Sequence, residues 1–228
     1  MNDLFFKKIK SRVIFSNRSI ILLSLFLMPV LLVHSQWFWS SQKKDALKEY
    51  RNGNYEEAIK ICKTEIAADP GNLESHVVLC WSLVHLGRYE EGRNYALAGR
   101  NISRYDPRII EILGEVYFFQ GRNHEALQYF QEYINLATQG SRINDVYYYI
   151  GEIFIRQGHF RRADIALSTA VYYMPQNAYW WARLAYAREN AGEYRPAIAA
   201  YEQALALNEY LSDARKGLDR VKTYLADR

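Results

Sequence analysis

Side chains capable of acid–base, nucleophilic or metal chemistry occur in this 228-residue chain, but not at the spacings such chemistry needs. The histidines His34, His76, His85, His124 and His159 are dispersed, and the closest pair on one expected helix, His76 and His85, lies nine residues apart. Two imidazoles on a helix share a metal when they stand one turn apart, so no metal site is expected. The patterns Gly-x-x-x-x-Gly-Lys, Gly-x-Gly-x-x-Gly, Gly-x-Ser-x-Gly and His-Glu-x-x-His do not occur, which removes the usual phosphate cradles, nucleophile elbows and zinc helices. The expectation is a protein that is not an enzyme and takes no cofactor. What remains is the chemistry of recognition, because 15% of the residues are aromatic and large rings bury much apolar area with few torsions to freeze.

The formal charge of +4 divides unevenly. Residues 1–18 hold Lys7, Lys8, Lys10, Arg12 and Arg18 against Asp3, which accounts for all of it, and the remainder sums to zero. A neutral body without a basic stripe argues against nucleic acid as a partner, since phosphate neutralisation supplies most of that affinity.

The basic segment 1–18 runs into an uncharged stretch from Ile20 to Val33, and Trp37-Phe-Trp39 follows. Two readings fit. A cleaved export signal fits the apolar length and the small residue Ser35. A retained anchor fits the 21 residues from Ser19 to Trp39, near the roughly 20 that cross a bilayer, with the Trp-Phe-Trp cluster at interfacial depth. The long basic segment favours the anchor, giving a transmembrane or signal-anchor segment at 19–39. Positive charge before the span orients the N-terminus to the cytoplasm, so the body is expected outside the inner membrane, in the periplasm of a bacterium.

The body, 40–228, is internally repetitive. Glycines recur at Gly53, Gly87, Gly121, Gly158 and Gly192; Tyr55, Tyr89, Asn123, Phe160 and Tyr194 follow each by two, and Ala58, Gly92, Ala126, Ala163 and Ala197 by five. Such register marks a stack of supersecondary units. Each unit reads as a helical hairpin: Tyr147, Ile150, Gly151 and Phe154 share one helical face, Gly158 stops that helix by accepting a left-handed backbone, and Ala163, Leu167 and Ala170 line the next. Gly151, Ala163 and Ala170 are small enough to let the two helices approach. Ala214, Leu218, Val221 and Leu225 form the apolar stripe of a capping helix over 212–225.

These residues resemble the tetratricopeptide repeat family, whose 34-residue unit carries an aromatic, Leu-Gly, Tyr, Gly and two Ala in fixed order. Repeat 178–211 matches with Trp181, Leu184, Ala185, Gly192, Tyr194, Ala197, Tyr201 and Ala204; repeat 107–140 matches with Leu113, Gly114, Tyr117, Gly121, Ala126 and Phe130. The others fall near 39–72, at 73–106 and at 144–177. The resemblance implies an all-α, right-handed α-solenoid of about five hairpins plus the cap. Departures are Asn123 in place of an aromatic, Gly92 in place of alanine, and an inserted Ser141-Arg-Ile143, expected to be a tolerated surface loop. Repeat register puts Cys62 and Cys80 on neighbouring helices; a disulfide is open to them, although Cys80 occupies a small-residue position suited to a buried thiol.

In this family the first helices line the concave face. Carrying its pattern over gives Glu74, Val77, Trp81 and Val84; Arg108, Glu111, Glu115 and Phe118; Asp145, Tyr148, Glu152 and Ile155; and Tyr179, Ala182, Tyr186 and Glu189. The residues expected to bind a partner are Trp81, Val84, Glu111, Glu115, Phe118, Tyr148, Glu152, Tyr179 and Tyr186. The groove reads as aromatic and acidic, so the expected partner is a protein segment with apolar and basic side chains. Trp181, Tyr147, Tyr117, Phe154, Phe130 and Tyr201 belong to the scaffold instead. The combined expectation is a membrane-anchored scaffold or adaptor of an envelope complex, such as a flagellar motor collar-type or secretion apparatus. A peptide-binding assembly chaperone for exported clients and a solute-binding subunit are the alternatives.

Overall fold

The computed structural model describes residues 45–227. The basic segment 1–18 and the span 19–39 lie outside the described residues. The described residues form eleven helices: α1 (Ala46–Arg51), α2 (Tyr55–Ala68), α3 (Leu73–His85), α4 (Tyr89–Ile102), α5 (Pro107–Phe119), α6 (Asn123–Leu136), α7 (Ile143–Arg156), α8 (Phe160–Tyr173), α9 (Ala178–Asn190), α10 (Tyr194–Leu207) and α11 (Ser212–Ala226). Each packs on its neighbours in sequence, and the first helices of successive hairpins also touch, α1 with α3, α3 with α5 and α5 with α7. This is an all-α tetratricopeptide-type solenoid.

The punctuation is local. Gly53, Gly87, Gly121, Gly158 and Gly192 all have φ between 71° and 81°, the left-handed region that a residue without Cβ enters at no steric cost. Asn72, Asp106 and Asn177 cap α3, α5 and α9 by accepting backbone N–H bonds, which satisfies donors that a helix start leaves free. The fourth hairpin lacks such a cap: α7 starts after Arg142, whose side chain makes no cap bond. The first hairpin is also atypical, with a six-residue α1 capped by Asp45.

Small residues set the distance between paired helices. A Cβ on Gly114 would lie 2.5 Å from the Phe130 ring, and one on Gly151 would lie 2.5 Å from Leu167. Phe130 and Leu167 are fully buried, so these glycines are sockets for core knobs of the facing helix. Tyr117, Phe130, Phe154 and Tyr201 are core residues, with Tyr147 and Trp181 packed at its margin. The core divides into three clusters along the stack, as expected when each hairpin buries its apolar face against its neighbours. Cys62 and Cys80 are free buried thiols.

Candidate partner-binding groove

A cavity of about 760 Å3 lies against the first helices α1, α3, α5 and α7. Residues one turn apart on a helix share a face, and three helices each present such a pair: Trp81 and His85 from α3, Glu111 and Glu115 from α5, Asp145 and Tyr149 from α7. One wall is aromatic. Tyr50 contacts Trp81 with ring centroids 5.6 Å apart and its hydroxyl lies 3.0 Å from His85 Nε2. Tyr89 and Phe119 stack at 4.9 Å. Val84 completes this wall.

The ionic part of the lining is organised by Arg142. Its guanidinium lies 3.2 Å from Glu111, 3.5 Å from Glu115 and 2.9 Å from Asp145. Tyr149 donates its hydroxyl to Glu115 Oε1 at 2.6 Å, and the Tyr133 hydroxyl accepts the Arg142 backbone N–H at 3.2 Å. Burial pushes the Glu111 carboxyl up to about 8; the neighbouring Glu115 charge adds to this and Arg142 opposes it. Burial also raises Asp145, again against Arg142, because removal from water disfavours the charged form. Arg142 belongs to the insertion between the third and fourth hairpins. That segment is therefore more than the tolerated surface loop expected: it places a cation over carboxylates fixed by the preceding hairpin.

Other expected groove carboxylates are likewise paired. Glu74 receives a two-pronged bond from Arg108 at 2.8 Å, Glu152 from Arg183 at 2.6 and 2.9 Å, and Glu189 from Arg220. In each case the arginine comes from the next hairpin or the cap. This corrects the expectation of a groove acidic along its length, because most of its acids are consumed in joining hairpins. The sequence pattern placed Arg108 on this face but not Arg142, Arg183 or Arg220.

Trp81, Val84, Glu111 and Glu115 meet at the cavity. Phe118 does not: it is 5% exposed, covered by Tyr149 at 4.7 Å and by the Arg156 guanidinium 4.0 Å above its ring. The helical phase of Phe118 is that of the groove, but the next hairpin lies over it. Phe119, 42% exposed, lines the cavity instead. Tyr148 stacks at 5.1 Å on the buried Trp180, and Glu152 is buried under Arg183. Tyr179 and Tyr186 line a separate cavity of about 480 Å3 beside Lys216 and Arg220. The nine expected residues thus fall in more than one place. Sequence reasoning missed Phe119, Tyr149 and Arg142; an i, i+4 continuation pointed to Phe119 from Glu111 and Glu115 and to Tyr149 from Asp145, and none pointed to Arg142. Among the described residues no cluster of three His, Cys, Asp or Glu is arranged to hold a metal ion, and no helix is long and apolar enough to cross a membrane.

The solved structure of the MamA protein superposes with a TM-score of 0.62 at 22% identity, covering 72% of this chain and 88% of that one. YrrB, described as a TPR protein with an unusual peptide-binding site, gives 0.61 at 13% identity over 75% of this chain and 87% of its own. A chain of the APC/C hetero-tetramer Cut9–Hcn1 gives 0.68 at 19%, covering 77% of this chain and 35% of that one. Human protein O-mannosyl-transferase TMTC1 is 24% identical over 185 residues, which are 78% of this chain and 21% of the transferase. The chain therefore spans about a fifth of that relative's length. The tetratricopeptide repeat sequence model matches residues 27–148, more than half of the chain, and a second tetratricopeptide repeat model matches 180–210. By sequence and by fold, this chain belongs to the tetratricopeptide repeat family.

Proposed function

We propose that this protein is a non-catalytic scaffold that holds a protein partner in the groove between α1, α3, α5 and α7. The observation that carries the reading is the cavity itself. Its volume of about 760 Å3 falls in the range of sites that bury most of an inserted group, and rings unused by the repeat motif, Trp81 and Phe119 among them, line it. Each ring covered by a partner contributes roughly 1.5–3 kcal/mol before ordering costs.

The location belongs to the same proposal. Residues 19–39 anchor the chain in the inner membrane with residues 40–228 outside the cytoplasm, where the scaffold helps to assemble or stabilise an envelope complex. The positive charge ahead of the span supports that orientation. A second reading, a peptide-binding chaperone for exported clients, is favoured by the fold likeness to YrrB and its peptide-binding site. The two differ in lifetime, since a scaffold stays with its complex and a chaperone releases its client.

The test is crosslinking and affinity purification of the tagged full chain, beside a Trp81→Ala/Phe119→Ala variant shown to fold by circular dichroism. Partners recovered with the native chain from carbonate-washed membranes and lost with the variant support the scaffold reading. Equal recovery with both chains removes the groove from the interface, and a chain extracted by carbonate removes the anchor.

A further inference from the structure

Charge in the groove is matched pair by pair except at one place. Arg183 faces Glu152, and Arg220 faces Glu189, in two-pronged pairs. Arg108 serves Glu74 and Asp106, but Asp106 also caps α5 and accepts its first N–H groups. At Arg142 three carboxylates, Glu111, Glu115 and Asp145, share one guanidinium. They line a cavity that Trp81, Tyr89 and Phe119 also line.

We infer that the groove receives its partner through one lysine or arginine side chain, seated against Glu111, Glu115 and Asp145, with an apolar neighbour of that residue lying on Trp81 and Phe119. The inference rests on the groove being the binding surface. Charge complementarity selects the occupant. With Glu111 protonated, Glu115 and Asp145 oppose Arg142 two to one; an arriving cation meets that excess and lets Glu111 ionise, whereas an acidic or neutral segment does neither. An aromatic wall also suits a cation, because ring faces attract positive charge and lysine or arginine stems pack on apolar surface. Elsewhere along the groove the arginine–carboxylate pairs are closed, so the requirement is for one basic residue at a fixed place and not for a basic segment.

Binding of that cation is coupled to a proton. Glu111 is 1% exposed, and its burial favours the protonated acid at neutral pH. The groups around it are Arg108 and Glu115 on its own helix, Tyr133 on α6, Arg142 in the turn, and Asp145 and Tyr149 on α7, with Tyr50 also lining the cavity. The titratable group that α3 adds to the cavity is His85, held to Tyr50. An ammonium or guanidinium arriving at Glu111 replaces its proton: the neutral acid and the cation give the ion pair plus one released proton.

The test is selection of a displayed library of random 12-residue peptides on the full chain in detergent micelles, in parallel with folded Trp81→Ala/Phe119→Ala and Glu115→Gln/Asp145→Asn variants. The expected result is a family of peptides with one lysine or arginine beside an apolar residue, at least tenfold weaker on each variant. For the tightest peptide, affinity should rise with pH by up to about tenfold per unit below about pH 8 and then level. That rise should flatten in Glu111→Gln. Peptides that need Trp81 and Phe119 but show no basic residue overturn this inference and leave the groove reading standing. A pH-independent affinity between pH 6 and 9 overturns the proton coupling. Enrichment indifferent to Trp81 and Phe119, or no enrichment at all, counts against both.

Discussion

Arg142 Nε lies 3.2 Å from Glu111 Oε1, so a residue inserted between two repeats supplies the counter-charge for a carboxylate buried in the repeat before it. Arg142 is 44% exposed at its side chain whereas Glu111 is almost wholly buried. The cation keeps much of its hydration and the carboxylate loses nearly all of its own. That asymmetry raises Glu111 despite a guanidinium at contact distance.

Stability should therefore depend on pH through Glu111. Its folded value lies above that of the unfolded chain, so the folded protein keeps a proton that the unfolded chain sheds. The associated stability is complete below about pH 4.5 and is lost as pH rises to about 8, at no more than about 1.4 kcal/mol per unit. Urea unfolding from pH 5 to 9 should show this decline in the native chain and not in Glu111→Gln. Arg142→Met should cost about 1–3 kcal/mol at pH 9, where the carboxylates lose their counter-charge, and less at pH 5. A cost that does not change with pH would show that Arg142 acts by packing alone.

Two helical glycines should respond oppositely to alanine. A Cβ on Gly92 meets Leu83 at 3.6 Å and Val116 at 3.7 Å, ordinary contact, so Gly92→Ala should stabilise by about 0.5–1 kcal/mol through helix propensity. Gly114→Ala drives a Cβ into the Phe130 ring and should destabilise by about 1–3 kcal/mol. Thermal melts of both variants check the signs; a destabilised Gly92→Ala would mean that the α3–α4–α5 junction has no room for a methyl group.

Adjacent phenylalanines should separate folding from binding. Phe118→Ala removes a core ring from beneath Tyr149 and Arg156 and should cost about 3–5 kcal/mol. Phe119→Ala removes a half-exposed ring stacked on Tyr89 and should cost about 1 kcal/mol or less while weakening partner capture. Denaturation curves read beside pull-down yield decide the matter, and the reverse pattern would move the groove wall to Phe118.

Both thiols should be silent in the native state. Cys62 and Cys80 are fully buried. Burial, with Glu65 adding to it, pushes the Cys62 thiol up to about 12, and burial raises Cys80 as well. The thiolate is the reactive form, so an aromatic disulfide reagent should label neither until urea unfolds the chain, then both. Prompt labelling of the folded protein would place one of them at a surface, and failure of both to label after unfolding would reveal a disulfide.

The sequence by itself determined the repeat: the glycine register, the Leu-Gly and Ala columns and the cap stripe are short-range facts, because a left-handed turn or a helix start is decided within a few residues of chain. The caps Asn72, Asp106 and Asn177 are equally local, each accepting an N–H from two or three residues on. The candidate groove was only partly legible. Trp81, Val84, Glu111 and Glu115 followed from carrying the family's concave-face positions onto each first helix, a pattern that one helix holds alone. Tertiary structure alone decided which phase-correct residue the next hairpin would cover, as Tyr149 and Arg156 cover Phe118, and which acids would find a guanidinium. Arg142, Arg183 and Arg220 reach Glu111, Glu152 and Glu189 from 31 residues away. Their effect on the groove's charge is set by the stacking of whole hairpins, a distance over which local sequence pattern carries no geometric information.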